Sequence, residues 1–241
     1  MHTYDNSHNF VSMENFGDCL HCKSFSKSIF SCFEKNKVAK SIAPNIVSIS
    51  YKKGQEVYTE GTVAKGVFCI QSGNVKVYKN CNGRNLTINL YDNSEIIGYT
   101  GLFNGGTYIN SARCIEDSQI CFFPKKNFLA ILEENPEVLM SLLKQSCREN
   151  YRISNILRDV KCKSMLSRVS NALLEMNKKF GTDENKCIRV NLTRKEIAEI
   201  SGTTSESVIR ILNQLKKEKA ISLHDGRIKI IDSNKLQKLC Q

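Results

Sequence analysis

A chain of 241 residues, 41% hydrophobic and 24% charged, with 3 prolines and 13 glycines, exceeds one typical domain of about 100–150 residues and has ordinary globular composition. This excludes collagen, a wholly disordered chain and a small disulfide scaffold. The net charge of +11 is uneven: residues 1–160 hold 18 basic and 15 acidic side chains (+3), and residues 161–241 hold the remaining 17 and 9 (+8).

A basic C-terminal third predicts a polyanionic partner, of which nucleic acid is the commonest for a soluble domain. The plainer alternative is lysine on solvated helix faces. Residues 1–18 are polar and unpatterned, and predict a flexible arm. No stretch reaches the roughly 18 apolar residues of a membrane span, and the N-terminus lacks a basic-then-apolar signal layout, so a cytoplasmic protein with no membrane partner is expected. In that reducing compartment the 11 cysteines are expected as thiols, mostly small buried apolar residues. Any cluster of them then raises metal or redox chemistry.

From Tyr51 to Pro124 short β-prone runs are punctuated by glycine. Val67 and Cys69, then Val75 and Val77, alternate about a Ser72-Gly73 turn, and Leu86, Ile88 and Leu90 repeat the two-residue period. Many short strands at this spacing predict a small antiparallel sandwich or barrel.

After Pro136 the pattern predicts a helix over 137–160. Leu139, Leu142 or Leu143, Ser146, Asn150, Ile153, Leu157 and Val160 recur at alternating steps of three and four, while Arg148, Glu149, Arg152, Arg158 and Asp159 leave one face apolar. Such a seam suits pairing with a second copy, although a helix lying on its own sheet would show the same spacing.

A second helix is predicted over 164–179, stopping at Gly181. Thr193 with Glu196 forms a capping box that opens a helix over 194–200, with Ile197, Ala198 and Ile200 facing inward. Ser201-Gly202-Thr203 supplies a turn, and Thr204 caps a further helix to about Lys219 that buries Val208, Ile211, Leu212 and Leu215. Residues 221–231, bent at Asp225-Gly226, predict a hairpin wing. Two capped helices about a glycine bend make a helix-turn-helix, whose second helix reads bases from its N-terminal turns. Ser205, Glu206, Ser207 and Arg210 occupy those turns. A carboxylate there can accept from cytosine and, four residues on, orient a guanidinium toward guanine. Arg194, Lys195, Thr203 and Thr204 fall where side chains and free helix-start amides grip phosphates. Lys216, Lys217 and Lys219 read as a solvated face. No hydrolase triad, zinc-protease or phosphate-loop motif is present, and His2, His8, His21 and His224 are scattered, so no catalytic residues and no enzyme are expected.

The stretches KKGQEVYTEGTVAKGVFCIQSGNVKVY, EIIGYTGLFNGG followed by SARCIEDSQICFFP, and LTRKEIAEISGTTSESVIRIL, in this order, resemble the Crp/Fnr family of bacterial transcription regulators from about residue 19 to 232. The last is the most specific, with Glu206 and Arg210 in the matching places. The resemblance implies an α+β chain: an antiparallel β-roll of the cyclic-nucleotide-binding type (a double-stranded β-helix) over 19–136, a dimerisation helix over 137–160 and a winged helix-turn-helix over 161–241. It also implies a homodimer on a two-fold DNA operator, with RNA polymerase as a further partner. The competing reading is a small-molecule-binding module whose helix-turn-helix contacts protein instead of DNA.

Within that family, cyclic-AMP-binding members carry Glu after the glycine of the phosphate cassette and Arg before a Ser/Thr-Ala pair. Here Gly98 is followed by Tyr99, and Asn110 precedes Ser111-Ala112. An effector pocket built from Gly98, Tyr99, Asn110, Ser111 and Ala112 lacks the two strongest charge-assisted hydrogen bonds for cyclic AMP, which argues against that ligand. Alternation along the strand aims the nearby Arg113 elsewhere than Asn110. Oxygen-sensing members hold a [4Fe-4S] cluster on three N-terminal cysteines and one late in the β-roll. Cys19, Cys22 and Cys121 match three of these. Ser28 occupies the place of the remaining ligand, and Cys32 is the nearest substitute. A cluster, thiol redox or zinc chemistry, and a purely structural role all remain open for these four cysteines. His21, within the first pair, reads as an exposed loop residue.

Overall fold

A computed structural model describes residues 13–15 and 45–240. In chain order the strands are β1 (Met13–Asn15), β2 (Val47–Tyr51), β3 (Glu56–Tyr58), β4 (Gly66–Ser72), β5 (Val75–Cys81), β6 (Arg84–Tyr91), β7 (Ile96–Ile97), β8 (Ser111–Cys114), β9 (Ser118–Pro124), β10 (Ile221–His224) and β11 (Arg227–Ile230). One antiparallel sheet runs β1-β2-β9-β4-β7 and a second β3-β8-β5-β6. They enclose a core of Val67, Phe68, Ile70, Val75, Val77, Ile97, Ala112 and Ile120, among others. The expected antiparallel roll is therefore present. Within the N-terminal stretch read as a flexible arm, the described residues Met13–Asn15 pair with β2 in the register Met13↔Ile49. Extended backbone beside an open sheet edge finds hydrogen-bond partners without an apolar pattern to announce it.

The helices are α1 (Tyr99–Phe103), α2 (Lys125–Glu134), α3 (Pro136–Cys162), α4 (Met165–Phe180), α5 (Arg194–Ser201), α6 (Ser205–Lys217) and α7 (Ser233–Leu239). The 27 residues of α3, which opens on Pro136 in its first turn, span about 40 Å. Its N-terminal half lies on the roll: Val138, Leu142 and Gln145 are buried, and the first two join the roll core together with Phe128, Ile131 and Leu132 of α2. Leu142 is thus removed from the expected seam. Of the two leucines at that step, Leu143 is 55% exposed and Leu142 only 4%. Leu139, Leu143, Ile153, Leu157 and Val160 remain exposed, with Leu157 the most open at 72%.

The C-terminal third has its own core of Val169, Leu173, Met176, Ile197, Ala198, Val208, Leu212 and Leu215, among others. Ser164 caps α4 by accepting from the Ser167 amide at 3.1 Å, and Gly181 ends the helix. The wing is β10 paired with β11, Ile221↔Ile230 to His224↔Arg227. Its turn residues Asp225 and Gly226 have φ of 48° and 80°, the doubly left-handed geometry of a tight hairpin. Leu90 and Ile115 of the roll are members of this second core, so the two units share a packed contact.

Candidate nucleic-acid interface and sensor core

The helix-turn-helix is fixed by local chemistry. The capping box is complete: the Glu196 amide donates to Thr193 Oγ1 at 3.2 Å, and the Thr193 amide donates to Glu196 Oε2 at 2.7 Å. Gly202 ends α5 at φ 61°, ψ 43°, a left-handed conformation that side chains rarely adopt. A Cβ there would also stand 3.3 Å from Val160 Cγ2 and 3.7 Å from Leu86 Cδ1, so the turn is seated against both α3 and the roll. Thr204 then caps α6, accepting from the Ser207 amide at 3.3 Å.

These caps set out the expected contact residues. Glu206 and Arg210 are exposed on the first turns of α6, with Ser205 and Ser207 half-buried beside them. Ile209, between the two charged residues, is 49% exposed and offers an apolar surface in place of a polar reader. Thr204 and Lys195 are exposed, while Thr203 and Arg194 are half-buried. Burial lowers the Arg194 guanidinium from its ordinary value and leaves it cationic. Glu206 and Arg210 form no ion pair with each other: the Glu206 carboxylate is held below the usual range by its own backbone amide, the Thr204 hydroxyl and the charge of Arg84. Arg84 stands at the β5–β6 hairpin, and sequence spacing gives no sign that this hairpin lies beside the recognition helix.

The residues expected to form an effector pocket sit in an aromatic core. Gly98, at the N-cap of α1, has φ 84°, and a Cβ there would be 3.1 Å from Tyr108 Cε1 and 3.4 Å from Tyr58 Cε1. The Tyr58 and Tyr108 rings stack at 4.2 Å, and Phe68 lies 5.6 Å from Tyr58. Tyr99 is buried and donates its hydroxyl to Glu149 Oε2 of α3 at 2.6 Å, while Gln145 donates to Glu149 Oε1 at 2.8 Å. Burial, then the Glu149 carboxylate, push the Tyr99 hydroxyl far above its ordinary range, so it is a fixed donor. Ser111 Oγ accepts from the Glu60 amide at 3.0 Å, Ala112 is fully buried and Asn110 half-buried. Arg113 turns away as alternation predicts, pairing with Glu56 and lying 5.3 Å from the Tyr78 ring centroid. Gly98 and Tyr99 are thus enclosed by the Tyr58 and Tyr108 rings on one side and by the Tyr99–Glu149 hydrogen bond on the other.

Cys121 is 8% exposed in β9, directly opposite Ser48 of β2 and Cys69 of β4, and its thiol faces Gln71 Oε1 at 3.8 Å. Cys19, Cys22 and Cys32 lie outside the described residues. Among the described residues no three His, Cys, Asp or Glu side chains converge as a metal site. Nor, among them, is any helix long and apolar enough to cross a membrane.

Comparison with known proteins agrees with this arrangement. Residues 48–135 match the cyclic nucleotide-binding domain and residues 167–239 the Crp-like helix-turn-helix domain. The CRP-like cAMP-activated global transcriptional regulator of Mycobacterium tuberculosis is 26% identical over 213 residues, covering 87% of this chain and 95% of that protein. The anaerobic regulatory protein of Bacillus subtilis is 26% identical over 187 residues, covering 74% and 79%. Among solved structures, FixK2 from Bradyrhizobium japonicum shares the fold with a TM-score of 0.73 at 22% identity, covering 81% of this chain and 98% of that one. A match to the cyclic nucleotide-binding domain on the roll, followed by a match to the Crp-like helix-turn-helix domain, places the chain in the Crp/Fnr family of DNA-binding transcription regulators.

Proposed function

We propose that the chain acts as a homodimer reading a two-fold operator, with Glu206 and Arg210 contacting a G·C step in each half-site. The carrying observation is that these two side chains are exposed and unpaired with each other on the capped first turns of α6. Arg210 supplies a bidentate donor for guanine O6 and N7, and Glu206 accepts from the cytosine amino group. Ser205, Ser207 and Ile209 set the flanking preference. Arg194, Lys195, Thr203 and Thr204 hold phosphates and fix register without specifying sequence. The seam of Leu139, Leu143, Ile153, Leu157 and Val160 joins the two copies, so that the recognition helices stand about 34–36 Å apart, one turn of DNA. The division into a roll over 19–136, a seam helix over 137–160 and a DNA-binding unit over 161–241 follows this reading, with RNA polymerase as the partner that the bound dimer recruits or blocks.

The signal is read in the roll and is not cyclic AMP. In support, the Tyr58 and Tyr108 rings stand against Gly98, Tyr99 is held on Glu149, and Asn110 offers no charge to a cyclic phosphate.

The test is selection of bound duplexes from a random pool by the wild-type chain, followed by titration of the selected operator with Arg210→Ala. The variant should lose about 1–3 kcal/mol and tolerate other bases at one position of each half-site. Binding should weaken steeply with salt, as several phosphate contacts require. Unchanged affinity and selectivity in Arg210→Ala would remove Arg210 from the reading. An absence of any salt-sensitive duplex binding would point to the helix-turn-helix as a protein contact.

A further inference from the structure

Lys76 of β5 and Glu199 of α5 form an ion pair 123 positions apart in the chain, joining the sensor roll to the first helix of the helix-turn-helix. Only 4% and 6% of the two side chains is exposed. Asn85 of β6 donates to the other carboxylate oxygen at 3.4 Å. Among the described residues, the other ion pairs that reach the C-terminal unit, Lys179–Glu95 from the roll and Arg152–Glu175 from α3, have side chains roughly 30–40% exposed and are weak in water.

A buried ion pair adds little net stability compared with apolar residues of equal volume, because removing two charges from water offsets most of their attraction. Its effect is directional. Leu86, Leu90 and Ile115 form apolar contacts with the DNA-binding unit that allow sliding and rotation. A lysine and a glutamate enclosed together tolerate neither, since any displacement leaves a charge without its partner. The covalent link from α3 to α4 is only Lys163 and Ser164, with Lys163 extended at φ −105°, ψ 147°. A connection of this kind can swing, so the angle of the helix-turn-helix is set by side contacts. In the observed orientation Glu206, Ile209 and Arg210 remain exposed, so the docked arrangement leaves the base-reading face open.

We propose that Lys76 and Glu199 are a positioning pair that fixes the rotation of the helix-turn-helix on the β-roll and, through it, the separation of the two recognition helices in the dimer. This rests on the two-fold operator reading above. It gives β5 a direct mechanical connection to DNA recognition, and neither residue needs to touch DNA.

The experiment uses the full chain as Lys76→Met, Glu199→Met and the double variant. Two readouts are taken: amide hydrogen exchange without DNA, and affinity for the selected operator with its native spacing and with one or two base pairs added or removed between half-sites. Each single variant should lose about tenfold or more at the native spacing and change much less at the altered spacings, because one enclosed charge is left unpaired and the docking angle is freed. Exchange should rise along residues 194–201 and 84–91 and stay unchanged in the roll core. The double variant should bind the native spacing better than either single one, since it leaves no unpaired charge. Equal losses at every spacing, or a double variant weaker than both singles, would overturn the proposal. A wild-type chain without any spacing preference would remove the operator reading itself. Exchange then decides the docking role alone, and unchanged protection of residues 194–201 in both single variants would overturn it.

Discussion

The hydroxyl of Tyr99 and the carboxylate of Glu149 meet at 2.6 Å, tying the first residue of α1 to the middle of the seam helix. One enclosed hydrogen bond thereby joins the Gly98 turn of the roll to α3. Tyr99→Phe leaves the Glu149 oxygen without its donor and should destabilise the fold by about 1–3 kcal/mol, read as a lower midpoint in thermal or urea unfolding. Cyclic AMP added to the wild-type chain should leave that midpoint where it was, because a ligand raises it only by binding the folded state. A midpoint that climbs with cyclic AMP concentration would show that the tyrosine cluster opens.

Tyrosines packed in or against the roll core determine behaviour in alkali. Burial, as the leading cause, raises the hydroxyls of Tyr51, Tyr58, Tyr91 and Tyr99 above the ordinary value of 10.0. A phenol held protonated in the fold binds more protons than its unfolded counterpart once pH exceeds about 10, so stability falls as pH rises beyond that point. Tyrosinate absorbance should therefore appear together with loss of secondary structure, not ahead of it. A full tyrosinate signal at pH 11 from a still-folded chain would contradict the enclosed placement of these rings.

Neighbouring leucines on α3 should separate assembly from stability. Leu157→Glu puts a charge on the exposed apolar row and should shift sedimentation from dimer to monomer with the monomer still folded. Leu142→Ala opens a cavity in the roll core and should cost about 2–5 kcal/mol while the dimer persists at protein concentrations where the chain is folded. A monomeric Leu142→Ala that unfolds like the wild type would return Leu142 to the seam.

Alkylation under native conditions should sort the thiols by burial. Cys81, Cys147 and Cys162 are exposed, whereas Cys69, Cys114, Cys121 and Cys187 are buried. Burial pushes the Cys114 thiol up to about 12, so it stays protonated and unreactive near neutral pH. Iodoacetamide labelling at pH 8, read by peptide mass, should modify the first three and spare the other four until the chain is denatured. Rapid native labelling of Cys114 would mean that β8 frays.

The winged helix-turn-helix was legible because its signals are local: Thr193 with Glu196, Gly202 at the bend and Asp225-Gly226 at the wing are each decided within a few residues. What escaped was tertiary. The ten residues of α2 carry Phe128, Ile131 and Leu132 on one face, too short a pattern to stand out between strands and the long helix. Leu142 and Leu143 are equivalent in any seam drawn from spacing, and only the sheet beneath α3 separates them. Glu199, between inward-facing Ala198 and Ile200, reads as a solvated charge until Lys76 is brought against it from 123 residues away. For the same reason Arg84 could not be placed near Glu206.

Leu90 and Ile115 belong to the roll by chain order and to the DNA-binding core by packing. A fragment starting after the seam helix would carry an open apolar socket where these two side chains fit, and the complementary sensor fragment would display two bare plugs. The units therefore cannot be exchanged freely with those of relatives: a chimera must carry matching plugs and sockets across the joint, or it will be sticky and poorly soluble even when each half is intact.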